Sequence, residues 1–425
     1  MLVVCPTARD RVHFARPEIR DAYELVQYGS DEATHEPGFD VGRFLDSLLR
    51  HAQRASRPYR AVVGIDDFPA CMVAALAGER LGLPAPSFRA LFLCQHKFYS
   101  RRCQQAAAPA ATPRFHLLDP QGVPDDLPFP LPAFVKPVKS YLSILARPVR
   151  SLEDLRHVAA ATGGRLGPVA AMFDRLVEGS AVEAALRQVP ASWLLLEDLL
   201  SGRQVTLDGY VFRGEVVPLG VTDSHFYPGT GSFERFEYPS RLPAEVQERM
   251  AEIAEACIRR IGLDRTFFNV EFFYRESDDG IWIIEINGRM ASQFAPLYRM
   301  VEGIDLYAMQ LDLALGRDPG GRRVWRPGRG RRGVAASFVL RRFQDALVLR
   351  VPVAAELARL RARFPEAFVE ILASAGKRLS DELQDDESFR YALLDLCAGT
   401  RKALLARFRE ARGLLPFAFG PAGPG

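Results

Sequence analysis

The chain has 425 residues, of which 48% are hydrophobic and 25% are charged, and its formal net charge is +3. This composition is typical of a globular protein of two or three domains. The near-neutral charge gives no reason to expect nucleic acid or another obligatory acidic partner. The chain starts without the basic region and long apolar core of a signal peptide, and no apolar stretch is long enough to cross a bilayer. We therefore predict a cytoplasmic protein without membrane contact.

The six cysteines form no Cys-x-x-Cys pair and do not cluster with histidine. We interpret them as small buried apolar residues in a reducing compartment, and a zinc site is not expected. They stand at positions 5, 71, 94, 103, 257 and 397.

The first 90 residues alternate strand and helix signals. Short apolar runs predict strands at residues 2–5 and 61–65, and apolar residues at helical spacing predict helices at 44–52 and 70–81. This βαβα order predicts a small parallel α/β domain over residues 1–90. The segment has no Gly-x-Gly-x-x-Gly turn, so it does not predict a nucleotide site by itself.

Two acids, Asp66 and Asp67, follow the second predicted strand. The carboxyl ends of parallel strands border the ligand crevice of such sheets, so these acids are candidates for lining a crevice. The alternative is a polar turn whose side chains cap the next helix.

Two further helices are predicted next. Ser87 is placed to cap the first, and residues 95–101 begin the second, with Lys97 near its start. Arg101 or Arg102 follows on that helix. Most surface lysines are simply solvated, so this segment gains meaning only from the order of the motifs around it.

A lysine strand and a short loop come next. Residues 134–137, Phe-Val-Lys-Pro, predict a strand in which Lys136 lies between apolar residues and proline stops the ladder. Such a lysine is either a snorkelling edge residue or one directed at an anion. A second strand is expected from about Ser143. Residues 138–142 then form a tight loop, where backbone N–H groups and the hydroxyls of Ser140 and Ser143 could meet a phosphate.

Residues 193–210 include an extended strand segment around Glu197 and Asp198. An extended segment of this kind offers a purine a backbone C=O and N–H at alternate positions, while apolar neighbours sandwich the ring. The alternative is an ordinary strand and turn.

A long loop rich in glycine and aromatic residues is predicted over residues 224–239. Ordered loops of this composition often bind a ligand. His225 and Arg235 are therefore candidate substrate or phosphate contacts, although a lone histidine or arginine is more often structural.

Residues 267–274 and 281–287 are aromatic and β-branched runs on either side of an Asp-Gly turn, which predicts a β-hairpin. A carboxylate on such an apolar strand needs a cation or strong donors. Because side chains alternate along a strand, Glu285 and Asn287 share a face, and an antiparallel partner could place Glu271 there too. Such an oxygen cluster suits Mg²⁺, which takes one or two carboxylates, keeps water and accepts phosphate oxygens. The alternative is that Arg or Lys side chains hold these acids.

Beyond residue 316 the sequence changes character. Residues 317–333 contain seven arginines with proline and glycine, which indicates a solvated connecting loop rather than a nucleic-acid patch. We assign residues 320–425 to a C-terminal α+β subdomain. Its predicted elements are strands at 334–340 and 347–351, a helix from 352, a helical tail over 386–412 and a disordered end at 420–425.

Taken in order, these motifs resemble the ATP-grasp superfamily, whose members include biotin carboxylase and D-alanine–D-alanine ligase. The resemblance covers about residues 1–315, and its most specific parts are the lysine strand and the sequence Glu-Ile-Asn-Gly-Arg at residues 285–289. It implies an α/β and α+β chain with the ATP-grasp fold. The implied domains are a Rossmann-like domain at 1–90, an ATP-grasp domain at 91–319 with a lid subdomain at about 130–200, and the C-terminal extension at 320–425.

The resemblance also implies ATP and Mg²⁺ or Mn²⁺ as cofactors. It implies Glu271, Glu285 and Asn287 as metal ligands, and Arg289 and Lys136 as catalytic residues. Arg289 would also bind the substrate. The residues implied to bind ATP are Lys97, Lys136, Lys139, Ser140, Ser143, Glu197, Asp198, Leu200 and Gln204.

Within that set, residues 197–204 correspond to the adenine-binding hinge. The resemblance implies that Glu197 faces the adenine amino group and that Gln204 holds the ribose. The backbone of Asp198 and Leu200 would contact the purine edge.

Two features depart from the family pattern. The phosphate loop, which is glycine-rich in the family, has no glycine at residues 138–142 and carries Lys139 instead. The ribose position is Gln204, where the family usually has glutamate.

The function implied is an ATP-dependent ligase that activates a carboxylic acid as an acyl phosphate and joins it to an amine, releasing ADP and phosphate. Amino acids are among the expected small-molecule substrates, a thiol is a less favoured acceptor, and a homodimer is compatible with the resemblance. One alternative is an ATP-binding regulatory module with weak catalysis, and another is a carboxylase that uses bicarbonate. For Arg289 the alternative is an ion pair with a nearby acid such as Glu302, in which case the acid site would lie around His225 and Arg235.

Overall fold

The computed structural model describes residues 1–36, 38–140, 144–320, 325–328, 330–381, 384 and 388–421. Its first elements surround a three-stranded parallel sheet with the order β2-β1-β3. They are β1 (Leu2–Val4), α1 (Ala8–Phe14), α2 (Pro17–Arg20), β2 (Val26–Tyr28), α3 (Asp31–Thr34), α4 (Val41–Arg54), β3 (Val62–Val63), α5 (Ala70–Leu81), α6 (Phe88–Gln95) and α7 (Lys97–Ala107).

The parallel sheet confirms the α/β order predicted for the start of the chain. Helix α5 has the predicted bounds and ends at Gly82, whose left-handed backbone (φ +66°) is the usual helix stop. Ser87 caps α6 as predicted, since its side chain accepts from the N–H of Ala90. The sequence did not reveal β2, because its three residues, of which Gln27 is exposed, are too few to show a strand pattern.

A four-stranded antiparallel sheet with the order β4-β7-β5-β6 follows. The strand expected from about Ser143 begins instead at Arg147. Ile144 and Leu145 form a turn in which Leu145 has a left-handed backbone (φ +58°), a conformation that a strand does not contain. The elements here are β4 (Phe115–Leu118), β5 (Ala133–Pro137), β6 (Arg147–Val149), α8 (Leu152–Glu178) and β7 (Leu194–Asp198).

The remaining strands form an eight-stranded sheet with the order β12-β11-β8-β9-β10-β13-β16-β15 and a two-stranded ribbon of β14 and β17. The elements are β8 (Arg203–Phe212), β9 (Glu215–Phe226), β10 (Phe233–Tyr238), α9 (Ala244–Ile261), β11 (Thr266–Arg275), β12 (Gly280–Asn287), α10 (Ala295–Glu302), α11 (Leu306–Ala314), β13 (Val334–Arg342), β14 (Leu347–Arg350), α12 (Ala354–Arg363), β15 (Phe368–Ile371), β16 (Phe389–Ala398), α13 (Arg401–Gly413) and β17 (Ala418–Gly420).

The predicted hairpin is confirmed, because β11 and β12 pair in antiparallel register at the edge of this sheet. Along β11, Phe268, Val270 and Phe272 pack into the core with α9. Asn269 and Glu271 alternate with them and therefore face the other side of the sheet. The hairpin thus presents polar side chains on one face and apolar side chains on the other.

The C-terminal segment continues the large sheet, because β13 pairs with β10 and β16 pairs with both β13 and β15. The helix predicted over residues 386–412 is wrong for its first part, where β16 is a strand and α13 begins only at Arg401. Strand β16 lies inside the sheet and is buried on both faces, so its apolar run lacks the alternation that marks a strand. The predicted helix from residue 352 begins at Ala354, close to expectation.

Among the described residues, no helix combines the length and the apolar character needed to cross a membrane.

Candidate functional site

The carboxylates of Glu271 and Glu285 stand opposite each other on β11 and β12. Their neighbours on the same face, Asn269 and Asn287, are also register partners, and the amide Nδ2 of Asn287 donates to Oδ1 of Asn269 (3.0 Å). Gln204 on β8 donates from Nε2 to Oε2 of Glu271 (3.0 Å). The structure therefore brings together the three residues predicted to hold a metal.

The two carboxylates differ in their surroundings. Burial and the neighbouring charge of Glu285 raise the pKa of Glu271 to about 7. Burial also disfavours ionisation of Glu285, but Lys97 and Lys136 outweigh it and lower the pKa of Glu285. The ammonium of Lys97 lies 3.5 Å from Oε2 of Glu285. Glu285 therefore ionises more readily than Glu271.

This donor set fits a divalent cation. A cation between Glu271 and Glu285 would relieve their mutual repulsion, and the amide oxygen of Asn287 is not used in its bond to Asn269. The described residues contain no group of three His, Cys, Asp or Glu side chains placed to hold a metal. Two carboxylates and an amide oxygen suit Mg²⁺, which binds few protein ligands and completes its shell with water and phosphate oxygens.

A β-bulge at Ile284 joins three elements of the site. The register of β12 skips this residue between Glu285 and Ile283, so its carbonyl is free of the regular ladder. That carbonyl accepts from Nη2 of Arg101 (2.8 Å) and from the ammonium of Lys136 (3.2 Å). Helix α7 and strand β5 of the four-stranded sheet therefore meet the edge of the large sheet at one oxygen.

Glu197 forms a buried ion cluster with Arg101 and Lys136. Arg101 binds its carboxylate with two nitrogens (2.6 and 3.0 Å), and the Lys136 ammonium lies 2.8 Å away. Burial opposes ionisation of Glu197, but the two cations lower its pKa to about 2. Burial lowers the pKa of Lys136 to about 8, although Glu197 opposes that shift. In this structure the Glu197 carboxylate binds the two cations, and the contact with adenine that the resemblance implied stays a prediction.

The sequence did not show which of Arg101 and Arg102 is the arginine that belongs to the site. Arg101 is 1% exposed, so its guanidinium is one of the most deeply buried charges of the chain. The available signal was its position four residues after Lys97, which puts both side chains on one face of α7.

Replacing Lys136 with alanine is expected to raise the ATP concentration needed for half-maximal turnover by about 10-fold to 100-fold. An unpaired phosphate charge costs about 1.5–3 kcal/mol, the range for hydrogen bonds to charged groups. ATP titration of the turnover rate measures this, with the exposed Lys402 changed to alanine as a control. An unchanged ATP requirement would make Lys136 a purely structural partner of Glu197.

The phosphate loop is described only in part. Ser143 lies outside the described residues, whereas Ser140 is described and buried. The ammonium of Lys139 bonds to Oε1 of Gln95 and lies over the ring of Phe68, 4.7 Å from its centroid. The structure thus directs Lys139 toward α6 and the loop after β3, while Lys136 points to β12.

Arg289 pairs with an acid of the first sheet. Its Nη2 lies 3.0 Å from Oδ2 of Asp67, which follows β3. The alternative of an ion pair with a nearby acid is thus present with Asp67 as the partner, while Glu302, the acid named as an example, accepts from the hydroxyl of Tyr238 (3.1 Å). Sequence spacing gave no signal for this pair, because 222 positions separate its two members. Asp67 therefore lies just beyond the carboxyl end of β3, and its role in lining a crevice stays a prediction.

The predicted adenine hinge lies where β7 leads into β8. The backbone N–H of Asp198 donates to the carbonyl of Arg114 (3.1 Å), and the Asp198 carboxylate pairs with the Arg114 guanidinium (2.8 Å). That N–H is therefore committed within the protein. Leu199, at 42% exposure, and Leu200 form the irregular part of the hinge, and Gln204 is engaged with Glu271.

His225 and Arg235 do not join this cluster. Glu271 is the register partner of Thr206 on β8. His225 lies two residues after Asp223 on β9 and so shares its face, and the register partner of Asp223 is Val205, the neighbour of Thr206. Arg235 is the register partner of His225 and lies on that same face. Consecutive strand residues face opposite sides, so His225 and Arg235 lie behind the carboxylate pair. Arg235 is itself paired with two glutamates of its own strand.

Asp208 is a buried acid of the site face that the sequence did not single out. It is the register partner of Asn269 on the neighbouring strand, and its carboxylate accepts from the hydroxyl of Tyr298 (2.9 Å). Burial raises the pKa of Asp208 to about 8, although the Tyr298 bond opposes the shift. The folded protein therefore holds a proton on Asp208 at neutral pH.

Asp208 is expected to make the folded state less stable as the pH rises. The unfolded chain releases this proton near pH 4, and the folded protein retains it to about pH 8. Between those values the folded state binds more protons, so the free energy of unfolding falls by up to about 1.4 kcal/mol per pH unit. Asp208→Asn should remove this part of the slope. Urea unfolding at several pH values between 5 and 9 measures it, and an unaltered slope in the variant would contradict the assignment.

The fold and the site together define a class. Buried lysines and paired carboxylates lie where a four-stranded antiparallel sheet contacts the edge of a larger sheet. A small parallel sheet precedes both in the sequence. This is the arrangement of the ATP-grasp fold. The model of the ATP-grasp domain family matches residues 129–296, so this part of the chain is an ATP-grasp domain, as the sequence motifs indicated.

Three solved structures have the same fold over nearly the whole chain. L-amino acid ligase from Bacillus licheniformis is 16% identical, with a TM-score of 0.74, and the match covers 99% of this chain and 98% of that one. The biotin carboxylase domain of 2-oxoglutarate carboxylase from Hydrogenobacter thermophilus, solved with MgADP, ADP and bicarbonate, is 16% identical with a TM-score of 0.67 and coverage of 98% and 90%. N5-carboxyaminoimidazole ribonucleotide synthetase from Thermus thermophilus is 17% identical, with a TM-score of 0.63 and coverage of 97% and 98%.

One curated relative is also similar in sequence. The uncharacterized protein y4rH of Sinorhizobium fredii (strain NBRC 101917 / NGR234) is 28% identical over 187 residues, which are 44% of this chain. The chain spans 34% of the length of that relative.

Proposed function

We propose that this protein is an ATP-dependent ligase that joins a carboxylic acid to an amine. The observation that carries the proposal is the opposed carboxylate pair, Glu271 and Glu285, flanked by the ammonium of Lys97 and followed by Arg289. Similarity of fold to an L-amino acid ligase supports amino acids as the first substrates to test. The proposed substrates are small molecules, and the proposed reaction requires neither nucleic acid nor a membrane.

The reaction follows from the weak reactivity of carboxylates. A carboxylate does not acylate an amine at neutral pH, because oxide or hydroxide would have to leave. If an oxygen of the acid attacks the γ-phosphorus of ATP, ADP leaves and an acyl phosphate forms. The amine nitrogen then attacks the acyl carbon, phosphate leaves, and the nitrogen releases a proton to give the amide.

The side chains of the site would divide this work. Mg²⁺ held by Glu271, Glu285 and Asn287 would offset the charge of the phosphate oxygens. Lys97 and Lys136 lie on the same side and would neutralise further phosphate charge. No protein nucleophile is required.

Arg289 is proposed to grip the acid. It stands two residues beyond Asn287 at the end of β12, where the acid must approach the phosphates. Its planar guanidinium binds carboxylates with two parallel hydrogen bonds and can then stabilise the charge on the acyl phosphate. Its Nε has no hydrogen-bonding partner within the described part of the chain, and a substrate carboxylate would provide one.

The test is ADP release with ATP and Mg²⁺ across a panel of acids and amines that begins with pairs of amino acids. The proposal expects release that requires both an acid and an acceptor, with an amide as the product. Release that requires bicarbonate would point to carboxylation instead. ATP binding without any acid-dependent release would favour a second function, a regulatory ATP-binding module.

That second function has one specific observation in its favour. Where the family has a glycine-rich loop, this chain has Lys139, whose ammonium is bound to Gln95. The ammonium of Lys136 is already paired with Glu197. A protein that binds ATP without rapid turnover would tolerate both features.

A further inference from the structure

Four side chains form a hydrogen-bonded series that leads from the phosphate loop to Arg289. The ammonium of Lys139 donates to Oε1 of Gln95, at the end of α6. The amide Nε2 of Gln95 donates in turn to Oδ1 of Asp67 (2.5 Å). The other oxygen of Asp67 accepts from Nη2 of Arg289 (3.0 Å). The four groups belong to four segments that are distant in sequence, so the tertiary fold alone brings them together.

Lys139 is held firmly in this position. It is 2% exposed, and its ammonium lies 4.7 Å from the ring centroid of Phe68 and 5.7 Å from that of Phe173. Cations are attracted to aromatic faces at such distances. The backbone is fixed as well, because the N–H of Lys139 donates to the carbonyl of Ala191 (3.1 Å). To reach a phosphate, the ammonium would have to leave two rings and a hydrogen bond.

Asp67 is the central member of this hydrogen-bonded series of side chains. Its Oδ1 accepts from Gln95 and from the backbone N–H of Phe68 (2.8 Å), and its Oδ2 accepts from Arg289. Burial opposes ionisation of Asp67, but Arg289 and Lys139 together lower its pKa. The carboxylate therefore depends on both cations, and it fixes one edge of the Arg289 guanidinium. The unpartnered Nε lies on the remaining part of that guanidinium.

We propose that Lys139 and Gln95 are positioning residues, which hold Asp67 and thereby orient Arg289 to receive the carboxylate of the acid substrate. The identity of that ligand rests on the proposed function. Lys139, expected from the sequence to bind phosphate, acts in this proposal on the acid instead.

The kinetic test uses Lys139→Met and Gln95→Met. Methionine retains an apolar side chain at either position. At 139 it removes the bond to Gln95, and at 95 it removes the bonds to Lys139 and Asp67. Each variant should raise the apparent KM of the acid about tenfold, the size of effect seen when a hydrogen-bonding partner of a metal ligand is lost, and change the apparent KM of ATP less than about twofold. The apparent KM of the acid in the double variant should be no higher than in the more affected single variant, because both changes break the same hydrogen-bonded series. Lys139→Arg should retain part of the activity.

The matched control is Lys402→Met, which removes an exposed lysine from α13 and should leave both constants unchanged. Thermal unfolding of every variant shows whether the fold is intact. A raised KM for ATP with an unchanged KM for the acid would overturn the proposal and return Lys139 to the phosphate site. Loss of thermal stability with unchanged kinetic constants would also overturn it.

A second measurement does not depend on turnover. Phenylglyoxal modifies accessible arginines, and peptide mass spectrometry measures the rate at Arg289 alone. The rate at Arg289 should rise several-fold in Lys139→Met and in Gln95→Met, and stay at the wild-type value in Lys402→Met. If no acid supports ADP release, the proposed function fails, and this rate still decides the positioning role. An unchanged rate in both variants would refute it.

Discussion

Glu285→Gln is expected to lower turnover by about 10²–10³-fold or more, with a much smaller loss of ATP affinity. Glutamine keeps the shape of the side chain but removes the charge that faces Lys97 and would hold Mg²⁺ against the phosphates. Removal of one group that stabilises developing charge commonly costs a factor of this size. The purine would be bound at the β7–β8 hinge, so its contacts remain. Single-turnover rates and ATP binding measured by calorimetry separate the two effects.

The matched control for this variant is Glu276→Gln. Glu276 lies in the turn of the same hairpin, is exposed, and pairs only loosely with Arg203 (3.3 Å). Exposed pairs of this kind contribute little, so both turnover and ATP binding should stay near wild type. Full activity in Glu285→Gln would remove the metal assignment from this pair of strands.

Arg289→Lys is expected to reduce acid-dependent ADP release about 10-fold to 100-fold while ATP binding stays nearly intact. Lysine keeps the charge but loses the planar fork that can hold Asp67 with one edge and a substrate carboxylate with the other. The loss should appear both in the apparent affinity for the acid and in the turnover rate, because the same group serves the bound acid and the acyl phosphate.

Arg275→Lys provides the comparison for that variant, since Arg275 is half-buried on the same hairpin, pairs with Asp278 (2.5 Å) and lies over the ring of Trp282. Its kinetics should match wild type. If Arg289→Lys lowers thermal stability and leaves the kinetics untouched, Arg289 is only the structural partner of Asp67. The acid would then have to bind elsewhere, and His225 and Arg235 lie on the wrong face of the sheet to contact the same phosphates.

Much of the fold could be predicted because its strongest signals are local. The β11–β12 hairpin has two apolar runs around an Asp-Gly turn, and α5 has regular helical spacing and a terminal glycine. Strand β16 was mistaken for a helix because a strand buried on both faces shows no alternation. Strand β2 was missed because three residues carry almost no periodic information.

The site shows the same division. Alternation along the hairpin was enough to place Glu285 and Asn287 on one face. The partners of the cations were beyond the reach of sequence patterns, because Arg101 meets Glu197 across 96 positions. Lys139 illustrates the limit best. Its place in a phosphate loop predicts a phosphate contact, whereas its contacts with Gln95 and Phe68 could not be predicted from the sequence.

The central claim is that the acid is activated by transfer of the γ-phosphoryl group of ATP. The most direct test labels both oxygens of the acid carboxylate with ¹⁸O and follows inorganic phosphate by ³¹P NMR during turnover with ATP, Mg²⁺ and an acceptor amine. The claim predicts that each phosphate released carries one ¹⁸O from the acid and that ADP carries none. Unlabelled phosphate, formed at the same rate as ADP, would show that water attacks ATP and would contradict the ligase.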